Sequence, residues 1–249
     1  MVTTPDPLPL HAIDVVLLAG GLGTRLRSEL PDRQKVLADV NGQPFLAQLL
    51  AWVQRHGARR VILALGYRSE QVTNCLTQQP WHRQGLEIVA SVEPEPRGTA
   101  GALSHALPWL RTDTVLVMNG DSFAPIDLYL LSSLHNTKKA SITLGVCSVT
   151  DTSRFGAVTV NDDDEVTAFL EKPAATIITS PTAGTISAGI YLMSYSVIAA
   201  IPTNQMVSLE RDVFPGYIRR GLFASRQQVP FIDIGTPASY AQRHQFFAD

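Results

Sequence analysis

Leu17-Leu18-Ala19-Gly20-Gly21-Leu22-Gly23-Thr24-Arg25-Leu26-Arg27 is the stretch that decides how this chain is read. The apolar run Ile13–Ala19 has the length and composition of a buried strand. It stops in a cluster of three glycines and ends on two arginines. Amides of Gly20, Gly21 and Gly23 can approach a phosphate closely, because no Cβ stands in the way. Arg25 adds a cation suited to bidentate bonds with phosphate oxygens. A strand that ends in such a cradle predicts a nucleotide site at the carboxyl edge of an α/β sheet. Leu18, Ala19, Gly20, Gly21, Gly23 and Thr24 are then candidate nucleotide contacts. Two other glycine motifs are excluded. The dinucleotide fingerprint needs a third small residue where this chain has Leu26, and no segment fits the P-loop pattern.

With 249 residues, 45% hydrophobic and 17% charged, the chain fits one large domain or two closely fused halves. We place that domain at residues 11–249, behind a disordered tail of residues 1–10. A net charge of −2 gives no sign of nucleic acid or an anionic membrane as a partner. Cys75 and Cys147 have no metal-ligand spacing and read as ordinary buried thiols of a reducing cytosol. The N-terminus lacks the basic region of a signal peptide, and no apolar run reaches membrane-span length, so a cytoplasmic location is expected.

Strand-like and helix-like segments alternate through the first half. Strands are expected at Ile13–Ala19, Arg60–Leu65, Leu86–Ser91 and Thr114–Asn119, and helices at Phe45–His56, Ser69–Thr77 and Thr99–Leu110. That alternation predicts a parallel sheet with helices on both faces. In the second half, Ala140–Thr150, Ala157–Asn161, Val166–Leu170 and Ile186–Met193 are closely spaced and suggest added antiparallel strands. Two closing helices are expected, over Leu209–Arg220 and Pro237–Phe247.

Several residues stand where chemistry is expected. Asp121 follows the strand Thr114–Asn119, and Asp233 follows the apolar segment Val229–Ile232. Two carboxylates at strand ends suit Mg²⁺, which takes one or two carboxylates together with phosphate and water. Taken alone, Asp121 fits an Asx turn equally well, and Thr236 or Asp233 fits a helix cap ahead of Pro237. Lys35, soon after the glycine turn, is a cation for the phosphates, although a lone lysine is usually solvated. The connector Glu93–Ala102 is stiffened by prolines. It offers Glu93 as an acceptor for a base edge, Gly98 for close approach, Thr99 as a helix N-cap, and a helix N-terminus near the phosphates. Glu171-Lys172-Pro173 suits sugar hydroxyls and a sugar phosphate, or is simply an exposed turn.

These segments occur in the order found in the sugar-1-phosphate nucleotidylyltransferases, and the chain resembles that family from about Ile13 to its end. The resemblance rests on Gly20–Leu26 followed by Lys35, then Gly98–Ala102, Asn119–Asp121, Phe155-Gly156, Glu171–Pro173, Ala188–Tyr191 and Asp233–Pro237. It implies a Rossmann-like, mostly parallel sheet flanked by helices, with added antiparallel strands, in a GT-A-like arrangement. It also implies a reaction: a sugar 1-phosphate oxygen attacks the α-phosphorus of a nucleoside triphosphate, and pyrophosphate leaves. By the same resemblance Arg25 and Lys35 polarise the phosphates, Asp121 and Asp233 hold Mg²⁺, and Glu93 and Gly98 match base-pocket positions. Gly156, Glu171 and Lys172 match positions that contact the sugar phosphate.

Two departures stand out. The family lysine usually lies between prolines, whereas Lys35 lies between Gln34 and Val36. Many relatives carry asparagine where this chain has Ser187, a further candidate contact for the sugar phosphate whose shorter polar group is expected to reshape the sugar pocket. The segments Ser208–Pro215 and Asp233–Tyr240 most resemble the D-glycero-α-D-manno-heptose 1-phosphate guanylyltransferases, which make GDP-heptose from GTP for surface polysaccharide. Three alternatives stay open: mannose 1-phosphate as the sugar, a UTP-dependent amino-sugar-1-phosphate enzyme, and a non-catalytic nucleotide-sugar-binding subunit. Homo-oligomerisation also stays open.

Overall fold

The computed structural model describes residues 9–26, 28–78, 85–152, 155–170 and 182–247. Its strands and helices run β1 (Asp14–Leu18), β2 (Asp39–Val40), β3 (Gln43–Pro44), α1 (Phe45–Arg55), β4 (Arg60–Leu65), α2 (Ser69–Thr77), β5 (Glu87–Val92), α3 (Gly98–Ala106), β6 (Thr114–Asn119) and β7 (Ser122–Phe123). They continue with α4 (Leu128–Lys138), β8 (Ile142–Val149), β9 (Ala157–Val160), β10 (Val166–Leu170), β11 (Gly184–Ser194), α5 (Tyr195–Ala199), β12 (Leu222–Gln227), β13 (Ile232–Asp233), α6 (Pro237–Ala241) and α7 (Arg243–Phe246).

β1 lies at the centre of a parallel array. It pairs with β4 on one edge and β6 on the other, and β4 pairs with β5, giving the order β5-β4-β1-β6. The strand order reverses between β1 and β6, and in open α/β sheets ligands bind in the crevice beyond the carboxyl ends at such a point. Side chains of these strands alternate between two cores. Val15, Leu17, Leu63 and Leu116 meet Phe45 and Leu49 of α1 and Leu131 of α4 on one face. Val16, Ile62 and Val117 meet Leu103 of α3 and Ile198 of α5 on the other. Because both faces are covered, the strands read as unbroken apolar runs instead of alternations. Each such side chain withdrawn from water contributes about 1.5–3 kcal/mol.

Antiparallel strands extend the sheet beyond β6. β11 pairs with β6 and with β8, and β12 runs parallel to β8. Ile186 of β11 faces Cys147 of β8 and Ala157 of β9, so β9 takes the edge that β6 occupies further along. β9 and β10 form a hairpin whose turn is held by Asn161, which accepts from Asp163 N at 3.1 Å through its side chain. β7 and β13 make a separate short pair.

Four expectations are corrected. Leu10, placed in the tail, instead heads a 3-10 turn and is buried. The helix expected over Thr99–Leu110 ends at Ala106 and tightens to a 3-10 turn over Leu107–Trp109, where Pro108 has no N–H to give. Leu209–Arg220 is a π-turn (Leu209–Val213) followed by a 3-10 turn (Phe214–Tyr217), because Pro215 and Gly216 interrupt it. The last helix breaks at Gln242 into α6 and α7. No helix among the described residues is long and apolar enough to cross a membrane.

Candidate active site

Two clefts open at the carboxyl ends of β1 and β6. The first, about 320 Å³, is lined by Leu18, Ala19, Gly20, Gly21, Lys35, Glu93, Gly98, Thr99 and Asp121 among others. The second, about 220 Å³, is lined by Arg25, Asp121, Gly156, Ser187 and Asp233 among others. Asn119 and Asp121 border both, so the clefts meet there. Gly23 lies beside Lys35 in a small adjoining recess. Thr24 is exposed at the head of a 3-10 turn and lines neither cleft. Glu171 and Lys172 fall outside the described residues.

The junction is built by backbone pairing. Gly120 N donates to Leu18 O at 2.9 Å, which brings the end of β6 against the end of β1. β7 follows immediately and pairs with β13, and Ile234 N donates to Asp121 O at 2.9 Å. Asp121 and Asp233 are thereby drawn together from positions far apart in sequence. Lys35 Nζ lies 2.7 Å from Asp121 Oδ2 and 3.9 Å from Asp233 Oδ1. Its side chain is 11% exposed, so it is not a solvated surface lysine. Burial raises the Asp233 pKa, and the Asp121 charge raises it further. Lys35, the Gly235 N–H and Arg25 pull it back down. Two carboxylates with hard oxygen donors beside a phosphate-sized cleft fit Mg²⁺, which completes its shell from phosphate and water. Thr236 is the helix cap, accepting from Ser239 N, with Pro237 in the first turn, so Asp233 is left to the site.

Lys35 is carried on a 3-10 turn capped by Gln34, whose side chain accepts from Val36 N. Gln34 is buried at 2% exposure, and its Nε2 donates to Ala19 O at 2.7 Å and to Gly21 O at 3.3 Å. This amide joins the end of β1 to the Lys35 turn, a contact that motif reading missed. The only signal was the departure from proline before the lysine.

At the far end of the first cleft, Glu93 is wedged between Gly20 and Gly66. A Cβ on Gly66 would stand 2.7 Å from Glu93 Oε1. Among the described residues Glu93 Oε2 has no hydrogen-bond partner although it is buried. Burial pushes the Glu93 pKa up to about 7, against an Arg97 backbone hydrogen bond and the Arg97 charge.

The N-terminus of α3 borders the first cleft through Gly98 and Thr99, while the amides of its third and fourth residues, Ala100 N and Gly101 N, donate to Val207 O at 3.0 and 3.2 Å. Gly98 adopts φ +73°, and a Cβ there would stand 2.5 Å from that same carbonyl, so a glycine is required. Thr99 is not the N-cap. Its hydroxyl accepts from Leu209 N at 2.8 Å and donates to Glu210 Oε2 at 3.0 Å.

The second cleft was only partly foreseen. Phe155 and Phe231 meet there edge to face at 5.1 Å, and Tyr191, Glu210 and Gly189 complete it. Gly189 (φ +72°) forms a bulge in β11, where a Cβ would meet Ser122 Oγ at 2.7 Å. Ser187 Oγ accepts from Gly189 N at 3.3 Å and lies 3.4 Å from the Tyr191 hydroxyl. Both cysteines are free; Cys147 is buried and Cys75 only half-buried.

A parallel sheet with twin clefts at its switch point, a glycine cradle and a lysine between two carboxylates define a nucleotide-handling α/β enzyme. The family comparison agrees: residues 14–249 match the nucleotidyl transferase model, and the chain belongs to that family. A mannose-1-phosphate guanylyltransferase of Mycobacterium tuberculosis is 34% identical over 93% of this chain, which spans 64% of that protein's length. A D-glycero-alpha-D-manno-heptose 1-phosphate guanylyltransferase of Campylobacter jejuni is 32% identical, covering 92% of this chain and 97% of its own. The crystal structure of HddC from Yersinia pseudotuberculosis superposes with a TM-score of 0.81 at 29% identity. It covers 95% of this chain and all of the other, and the same protein is also known in complex with GMP-PN.

Proposed function

We propose that this protein transfers GMP from GTP to D-glycero-α-D-manno-heptose 1-phosphate, releasing pyrophosphate. The observation that carries the reading is the meeting of two clefts at Asn119 and Asp121, with Lys35 at the junction. A transferase needs two ligands placed end to end, and this geometry supplies the two places. The nucleotide takes the first cleft, where the glycine cradle and Lys35 face its phosphates. The sugar 1-phosphate takes the second, with Arg25 as its cation.

The chemistry needs little from the protein beyond placement. An oxygen of the sugar phosphate, already anionic, attacks the α-phosphorus. The new P–O bond forms as the bond to the β-phosphate oxygen breaks, and the electron pair leaves with pyrophosphate. No general base is required, so catalysis rests on alignment and charge neutralisation. Lys35 and Arg25 supply cations from the chain, and Asp121 and Asp233 would hold Mg²⁺. That ion, when bound, offsets charge on the phosphates.

Guanine is the base favoured by Glu93. Its N1–H and N2–H lie side by side, and a carboxylate has acceptors only. Glu93 lines the first cleft, where its carboxylate is the acceptor that such an edge would meet. Mannose 1-phosphate is the second sugar reading, favoured by the similarity to the mycobacterial relative. A silent binding subunit is disfavoured by the assembled Lys35, Asp121 and Asp233 cluster.

The test is pyrophosphate release with Mg²⁺ across four nucleoside triphosphates and the heptose, mannose and N-acetylmuramic acid 1-phosphates. Release confined to GTP with the heptose phosphate supports the reading. GTP with mannose phosphate, or UTP with the amino sugar, keeps the reaction and changes the substrate. Silence throughout, with nucleotide-sugar binding, overturns it.

A further inference from the structure

We infer that Glu210 reads a hydroxyl of the sugar and is a specificity-determining residue of the second cleft, an assignment that rests on the sugar-phosphate reading above. Glu210 lies in the one-turn π-helix Leu209–Val213, a geometry that recurs at functional sites. Its Oε2 is pinned by two hydroxyls, Thr99 Oγ1 at 3.0 Å and Ser208 Oγ at 2.9 Å. Its Oε1 receives only the Tyr191 hydroxyl among the described residues, at a long 3.4 Å. A carboxylate oxygen accepts two hydrogen bonds, so Oε1 keeps acceptor capacity on the side where Tyr191 also borders the cleft. Burial raises the Tyr191 pKa, so its hydroxyl stays a donor and holds the carboxylate without competing for the ligand.

The charge of Glu210 decides which part of the ligand it meets. An anion would repel a phosphate, and Arg25 stands in the same cleft as the phosphate's partner. Glu210 therefore faces the hydroxylated part of the sugar, where an O–H can donate a charge-assisted bond. Phe155 and Phe231 offer apolar surface to the C–H face of the ring. Because three hydroxyls hold the carboxylate in place beforehand, it selects for geometry and does not merely attract. A site built to bind a hydroxyl rejects the analogue that lacks it, because its own polar group is then left unpaired.

Mannose 1-phosphate shares the ring stereochemistry of a manno-heptose, and its 2-, 3-, 4- and 6-deoxy analogues form the test panel. Their binding is measured by calorimetry on wild type and E210Q, with pyrophosphate release from GTP followed in parallel. Wild type is expected to lose about tenfold or more in affinity for one deoxy analogue. E210Q is expected to bind the parent sugar phosphate more weakly by a similar factor and to lose that analogue's penalty, while KM for GTP changes by less than about threefold.

The assignment is overturned if wild type binds no sugar phosphate or shows no position-dependent penalty. It is overturned equally if E210Q retains the penalty or shifts GTP as far as the sugar. The wild-type panel needs no variant, so the inference is exposed even if E210Q fails to fold. A wild type that shows the penalty but releases no pyrophosphate overturns the transfer reading alone. An active wild type whose penalty persists in E210Q overturns the Glu210 assignment alone.

Discussion

Gln34 Nε2 donates a 2.7 Å hydrogen bond to the carbonyl of Ala19, while Gln34 Oε1 accepts from Val36 N at 2.9 Å. One buried amide thus ties the end of β1 to the turn that carries Lys35. Its backbone is at φ −64° and ψ 135°, a conformation that proline also adopts. Gln34→Pro therefore suits the backbone angles but removes both the tether and the N–H that Gln34 donates to Gln71 Oε1 at 2.7 Å, whereas Gln34→Met keeps the volume and strands a buried carbonyl and amide. We expect either variant to lower kcat by about 10- to 100-fold, because small displacements of positioned groups are costly. Both variants should also lose about 1–3 kcal/mol of stability. Steady-state pyrophosphate release and a thermal melt check both. Full kcat in Gln34→Pro would show that backbone shape alone positions Lys35.

Asp121 and Asp233 make different contacts with Lys35, 2.7 Å against 3.9 Å, yet both border the second cleft. If they hold Mg²⁺ together, Asp121→Asn and Asp233→Asn should each cut kcat/KM by about 100- to 1000-fold, the scale of losing one electrostatic partner of a transition state. Activity should disappear with a chelator and return with Mg²⁺. In Asp233→Asn the half-saturating Mg²⁺ concentration should rise. Equal activity with and without chelator would remove the metal from this reading.

Glu93 links base choice to stability. Inosine triphosphate lacks the N2–H donors of GTP, so wild type should prefer GTP by about tenfold, and Glu93→Gln should lose most of that preference. The free carboxyl has its pKa pushed up to about 7 by burial, so GTP should bind more weakly as pH falls from 8 to 6. Unchanged GTP-to-ITP discrimination in Glu93→Gln would place the base elsewhere.

The parallel half of the fold was legible because its physics is local. β4, β6 and α2 fall where their apolar runs and helical spacing put them, since strands covered on both faces carry no polar interruption. α4 was missed for the opposite reason. Its inward stripe, Leu128, Leu131, Ser132 and His135, has helical spacing, but half of it is polar, and Tyr129 and Leu130 face solvent. β12 hides its signal likewise: Ser225 and Gln227 are buried, and Gln227 is satisfied by Asp127 at the start of α4. Around the clefts, motifs pointed to single residues but not to their partners. Nothing local tells that Thr99 serves Glu210 and not its own helix, or that Val207 accepts from the first turn of α3. Those pairings join residues about a hundred positions apart and exist only after folding.

His135 and Glu93 bind their protons in opposite senses, and the pair gives a test on stability alone. His135 is buried against Thr143, 2.8 Å from its hydroxyl, and burial lowers its pKa from 6.5 to about 4. Between those values the unfolded chain holds the proton and the folded chain does not, so this group makes stability fall as pH drops from 6.5 to 4. Glu93 is raised from 4.5 to about 7, so between those values the folded chain holds the proton. It makes stability fall as pH rises through that window. Each slope is about 1.4 kcal/mol per pH unit at most, and together the two nearly cancel between pH 4.5 and 6.5. Glu93→Gln should uncover the histidine, giving a protein whose stability climbs more steeply with pH than wild type and exceeds it at pH 8. His135→Phe should uncover the carboxyl and flatten or reverse the climb. The two groups sit on separate elements with no shared partner, so their effects should add in the double variant. Urea unfolding at half-unit steps from pH 4.5 to 8 reads all four proteins, and slopes that move together in the two single variants would refute both assignments.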